Sequence, residues 1–175
     1  MSRYLDLLRL PNARALLITS FPARIAYGML GLAVFFKVER ETGSVAAAGL
    51  AIGAFSLSQS LTAGIRGSVI DRFGQKWPLR ILTPTYCVMV LYFNTLTDRN
   101  SLLIFAMVMG LSSPPINLSV RPLWKIAVKP DQLRTAYALD TSVMNIATVF
   151  GPVIATTISL SRFPDLALNS VGILI

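Results

Sequence analysis

The few residues of this chain that could do chemistry are arranged for binding rather than for bond-making. Arg24 stands inside a long apolar run, with Gly28 and Gly31 at i+4 and i+7 on the same helical stripe. A charge in such a run is costly, so it normally faces a bundle interior or an aqueous cavity. There it attracts an anionic group or pairs with a carboxylate. The structural alternative is an arginine that snorkels or bonds a carbonyl freed by Pro22. Tyr27, Gln59, Asn117 and Asn145 are the other polar groups within apolar runs. Each either lines a cavity or bonds across helices, the latter for about 0.6 kcal/mol apiece. The sequence has no histidine and a single cysteine, Cys87. Histidine-assisted triads, His-rich metal sites and intrachain disulfides are therefore outside its means. Nothing matches a phosphate loop or a dinucleotide fingerprint. The expectation is a protein that is not an enzyme, with no cofactor and no metal, whose partner is a small molecule.

The elements that must position these residues are membrane helices. Of the 175 residues 54% are hydrophobic and only 14% charged, well under the roughly 25% charged residues of a soluble domain. The charges cluster between apolar runs, and a run of about 20 apolar residues is enough to cross a bilayer. Five stretches qualify: 15–36, 45–65, 77–96, 102–123 and 137–160. Pro22 and Arg24 interrupt the first, and Pro114 and Pro115 the fourth. A partial sixth, 166–175, is too short to cross. The expected fold class is an all-α integral membrane protein forming a single transmembrane domain over 1–175. Gly49 and Gly53 form a G-x-x-x-G, expected to serve helix packing.

The formal net charge of +8 is explained by topology, so no nucleic-acid partner is expected. With the N-terminus in the cytoplasm, the inner segments hold Arg3, Arg9, Arg14, Arg66, Arg72, Lys76, Arg80, Arg121, Lys125, Lys129 and Arg134. The outer ones hold only Lys37, Arg40, Arg99 and Arg162, which is the asymmetry of the positive-inside rule. Trp77 and Trp124 fall at inner ends of spans, where indole rings favour the headgroup layer. The first span is too long for a cleaved leader and has no small-x-small cleavage site. Asp140, near the inner end of its span, is expected as a helix-end charge paired with Arg134 or another cytoplasmic base. No titratable acid is then left deep in a span.

Between the second and third spans runs Gly67-Ser68-Val69-Ile70-Asp71-Arg72-Phe73-Gly74-Gln75-Lys76. Gly67 allows close helix approach, and Gly74 can take the positive φ of a tight turn. Asp71 can cap a helix or pair with an arginine, while Arg72 and Lys76 hold the loop at the inner face. This segment resembles the loop signature G-x-x-x-D-R-x-G-x-[KR] of the major facilitator superfamily, at the place where that family has it. Gly151-Pro152 in the fifth span resembles the glycine-rich motif of its drug-antiporter branch, with Ser142, Ala155 and Thr156 where that motif has glycines. Arg121-Pro122-Leu123-Trp124 and the stretch 133–140 also look like bacterial efflux-type members.

The resemblance implies the N-terminal half of a twelve-span alternating-access carrier, with substrate held near the bilayer midplane. Gly67, Asp71, Arg72, Gly74 and Lys76 would form its cytoplasmic latch, and Gly151 and Pro152 a packing motif. Efflux of a small solute across the plasma membrane is the implied activity. A rocking mechanism needs a C-terminal half, so the expectation is a truncated or partial transporter, inactive alone. The alternative is a small multispan membrane protein with a binding or assembly role.

Overall fold

A computed structural model describes the backbone from residue 2 to residue 175, and all side chains except those of residues 1–3 and 116–118. The helices are α1 (Ser2–Arg9), α2 (Pro11–Thr42), α3 (Val45–Phe73), α4 (Lys76–Thr95), α5 (Arg99–Ser112), α6 (Ile116–Ala127), α7 (Leu133–Ser159) and α8 (Leu166–Leu174). A 3₁₀ turn, Pro130–Gln132, leads into α7.

Local chemistry sets the boundaries. Gly43, at φ 65°, ends α2 and donates its N–H to Glu39 O at 2.8 Å. Ser44 then caps α3 by accepting the N–H of Ala47. Gly74 ends α3 at φ 75°, a conformation that only glycine adopts freely. Asp98 caps α5 by accepting the Ser101 N–H at 3.0 Å. Those donations hold its carboxyl below the ordinary aspartate range.

Three helices are long and apolar enough to cross a bilayer: α2, α3, and the stretch Pro130–Ser159 that contains α7. The expected set of five is therefore met in part. The third expected span is the 20-residue α4, which carries Lys76, Arg80, Asn94 and two prolines and falls short in hydropathy. The fourth is broken. Pro114 and Pro115 have no N–H to give, so the helix stops at Ser112 and restarts at Ile116, leaving pieces of 14 and 12 residues.

Two glycine-mediated crossings hold the bundle together. A Cβ on Gly151 would lie 2.5 Å from the carbonyl carbon and 2.6 Å from Cα of Gly28, so α2 and α7 meet backbone to backbone. One on Gly110 would collide with Ser58 Oγ and the Phe55 carbonyl, so α5 sits equally close on α3. Close crossing of this kind replaces the hydrophobic drive that lipid removes. Around it lie Ala26, Met29, Ala33, Ala47, Ala48, Ala51, Ala106 and Ala155, all buried. The packing expected of Gly49, Gly53 and Gly67 is not found: a Cβ on any of them would meet nothing within 4 Å. G-x-x-x-G spacing identifies a smooth helix face but not which neighbour covers it, and here no described residue does.

Candidate functional site

The break between α5 and α6 creates the site. In an unbroken helix the N–H of residue 114 would serve Gly110 O, and that of residue 115 would serve Leu111 O. Prolines at both positions remove those amide donors, leaving Gly110 O a long contact from the Ser113 N–H at 3.5 Å and Leu111 O one from the Thr62 hydroxyl at 3.4 Å. Arg66, from α3, replaces the two missing donors with one nitrogen: Nη1 donates to Gly110 O at 2.8 Å and to Leu111 O at 3.1 Å. Its Nη2 donates to Gln59 O at 2.8 Å. Two further side chains reach the same break. Gln59 Nε2 donates to Ser113 Oγ at 2.8 Å, and the Tyr27 hydroxyl donates to Pro114 O at 2.7 Å. Irregular backbone at membrane depth persists only where its polar groups are served from within the protein or line a cavity. Both conditions hold here.

A cavity of about 570 Å³ opens beside the break, between α2, α3 and α7. Arg24, Tyr27, Gln59, Arg66, Ser113 and Thr148 supply its polar wall, and Gly31, Ala63, Met144 and Pro152 belong to the rest. The volume suits a drug-sized solute, and the mixture of apolar wall and few polar groups is that of a ligand site.

Arg24 is 3% exposed and forms a buried ion pair with Asp140, which is 4% exposed. Arg24 Nη2 lies 2.5 Å from Asp140 Oδ1, while Nη1 donates to the Asp140 carbonyl at 2.9 Å. The indole N–H of Trp124, wholly buried, donates to the same Oδ1 at 2.9 Å. Two charges out of water survive when paired and hydrogen-bonded in this way. The pair ties α2 to α7 next to the Gly28–Gly151 crossing.

Several expectations are corrected. Asp140 is no helix-end charge paired with Arg134; it lies two turns into α7, and its partner is Arg24. Trp124 is buried against it rather than seated in the headgroup layer. Gly28 makes room for the backbone of α7 rather than for Arg24, and both Gly28 and Gly31 line the cavity. Asn145 is exposed on α7 and takes no part in the cavity wall. The side chain of Asn117 lies outside the described ones. Asp71 and Arg72, in the last turn of α3, and Lys76, which opens α4, are all exposed. Among the described residues Asp71 has no ionic partner, and Arg72 lies over the Phe73 ring at 5.6 Å.

Ser60, Arg66, Ser113 and Thr148 are the polar wall residues that sequence reasoning missed. Arg66 counts among the inner-face cations by position. Its signal was periodic: Gln59, Ala63 and Arg66 share a stripe at i, i+4 and i+7.

The family model described as Major Facilitator Superfamily matches residues 16–165. No curated protein and no solved structure matches the chain significantly. The matched residues take in both glycine crossings, the broken helix and every residue of the cavity wall, in a bundle whose long apolar helices make it a multi-pass membrane protein. The chain thus belongs to the major facilitator superfamily.

Proposed function

We propose that the cavity beside the α5–α6 break is the substrate site of an alternating-access carrier that exports a small solute. The observation that carries this reading is the placement of the cavity. It lies where a proline-broken helix meets the crossing of α2 and α7, and discontinuous helices of this kind mark binding sites in secondary transporters. Arg24, Tyr27 and Gln59 belong to its wall, joined by Arg66 and Ser113. The five apolar runs cross the plasma membrane, α4 and the α5–α6 pair included, with the N-terminus in the cytoplasm. Gly67, Asp71, Arg72, Gly74 and Lys76 then face the cytoplasm, where an exposed Asp71, without an ionic partner among the described residues, is free to latch onto a second bundle.

A rocking carrier works with two bundles facing each other across the substrate. The described helices form one, and the expected outcome follows from that. The 175-residue chain reconstituted alone in vesicles should give no solute flux, and flux should appear when a second bundle is supplied. Robust flux from the chain by itself would sink the two-bundle reading. If co-expression with a second bundle restores none, while the chain copurifies with another membrane protein, a binding or assembly role takes its place.

A further inference from the structure

The two arginines of the cavity wall differ in one respect: Arg24 is neutralised by Asp140, and Arg66 is not. All of Arg66's hydrogen bonds go to uncharged carbonyl oxygens, its Nε–H is buried without a partner, and a guanidinium is not deprotonated in a protein. Among the described residues no Asp or Glu lines the cavity. The C-terminus of α5, worth about −0.5, accepts the Arg66 hydrogen bonds and offsets part of the charge, while the N-terminus of α6, worth about +0.5, follows three residues on. Neither terminus is a full counter-ion, so the wall keeps a net positive charge. The hydroxyl of Tyr86, whose ring stacks on Tyr27 at 6.3 Å, is buried without a partner.

From this we infer that the cavity selects an anionic solute, an organic carboxylate or sulfonate, whose head group is held by Arg66 while the Gly31, Ala63, Met144 and Pro152 side of the wall takes the apolar body. The inference rests on the carrier reading above, because it concerns the same cavity.

The test reads the sign of the cavity directly, without knowledge of the natural solute. In a Cys87→Ser background a thiol is placed on the wall by Ser60→Cys, six residues from Arg66 along α3, about 9 Å in rise. The whole chain in nanodiscs is then reacted with the anionic sulfonatoethyl and the cationic trimethylammonioethyl methanethiosulfonates, each rate divided by that with 2-mercaptoethanol. One uncompensated charge at this range should favour the anionic reagent by on the order of tenfold. Arg66→Lys should keep the preference and Arg66→Gln should abolish it. Because Arg66→Gln also removes the short hydrogen bonds to two carbonyls, it is repeated with Pro114→Ala and Pro115→Ala, which return amide donors to them.

A normalised ratio near one with Arg66 intact overturns the inference and leaves the cavity standing, since both reagents have then reached the thiol. A preference that survives Arg66→Gln overturns the role of Arg66. If neither reagent reacts, the cavity itself is closed to solutes, and the carrier reading falls together with the inference.

Discussion

Replacing Gly151 by alanine should loosen the bundle, while the same replacement at Gly31 should not. The Cβ added at Gly151 would sit 2.5, 2.6 and 2.8 Å from three backbone atoms of Gly28 and Met29. Carbon contacts are comfortable at about 3.5–4.0 Å, so α2 and α7 have to part by about 1 Å. A gap of that size forfeits a quarter to a half of each contact's attraction along the crossing. Overpacking of this kind costs roughly 1–3 kcal/mol. Against that stands the helix preference of alanine over glycine, about 1 kcal/mol. The net loss should be about 0–2 kcal/mol. At Gly31 a Cβ meets nothing within 4 Å, so only the gain of about 0.5–1 kcal/mol remains. Opposite signs for one chemical change in neighbouring helices are the signature. Reversible unfolding in mixed micelles titrated with dodecyl sulfate, followed by circular dichroism, reads both. Because Gly28 and Gly151 share one contact, adding Gly28→Ala to Gly151→Ala should cost less than the sum of the singles. Equal shifts of the same sign at Gly31 and Gly151 would refute the backbone crossing.

Asp140→Asn leaves the Arg24 charge buried without its counter-ion and should cost about 3–5 kcal/mol, whereas Arg24→Met with Asp140→Leu should recover most of it. A cycle in the same unfolding assay that shows no coupling would break the pair apart. Arg66→Ala leaves Gly110 O with only the long Ser113 N–H contact and Leu111 O with only the Thr62 hydroxyl, a loss of at most about 1–3 kcal/mol each that should shrink once Pro114→Ala and Pro115→Ala restore the amide donors. Strict additivity of the two sets of changes would show that Arg66 does not cap the break. The depressed pKa of Asp98 means that its cap contributes fully above the ordinary aspartate value of about 3.9 and is lost as pH falls through the lower folded value. Asp98→Asn, which keeps a side-chain acceptor but does not titrate, should remove that acid-side slope from the unfolding midpoint, and an unchanged slope would assign it elsewhere.

The parts of this architecture set by composition were legible in the sequence, and the parts set by which helix faces which were not. Apolar runs located α2, α3 and α7, and the proline pair marked an interruption in the fourth run, because length in a bilayer and a missing N–H are local properties. Arg24 was legible as an interior charge for the same reason. Its partner was not, since Asp140 lies 116 residues away and its depth in α7 depends on where that helix begins. Glycine roles were legible only in part. Gly49 and Gly53 have the spacing of a packing motif and no described neighbour within 4 Å of an added Cβ, whereas the crossings lie at Gly28, Gly110 and Gly151, of which only Gly151 was read as a packing residue. Arg66 was hidden by its neighbourhood, because a cation near Arg72 and Lys76 satisfies the positive-inside pattern whether or not it turns back towards the bundle.

That concealment matters to how the site works. In a bilayer the two carbonyls exposed by Pro114 and Pro115 must find donors, and a guanidinium can serve both from one nitrogen while a second bonds α3. Lysine, a compact charge on a flexible stem, offers no such fork. A residue selected to satisfy the broken backbone therefore brings a permanent positive charge to the cavity wall. Stability of the break and sign of the cavity are thus linked at one side chain. Restoring the amides by Pro114→Ala and Pro115→Ala unlinks them. In that background Arg66→Gln should unfold like its parent and differ only in its treatment of charge, so a loss of anion preference there can be laid to the guanidinium alone.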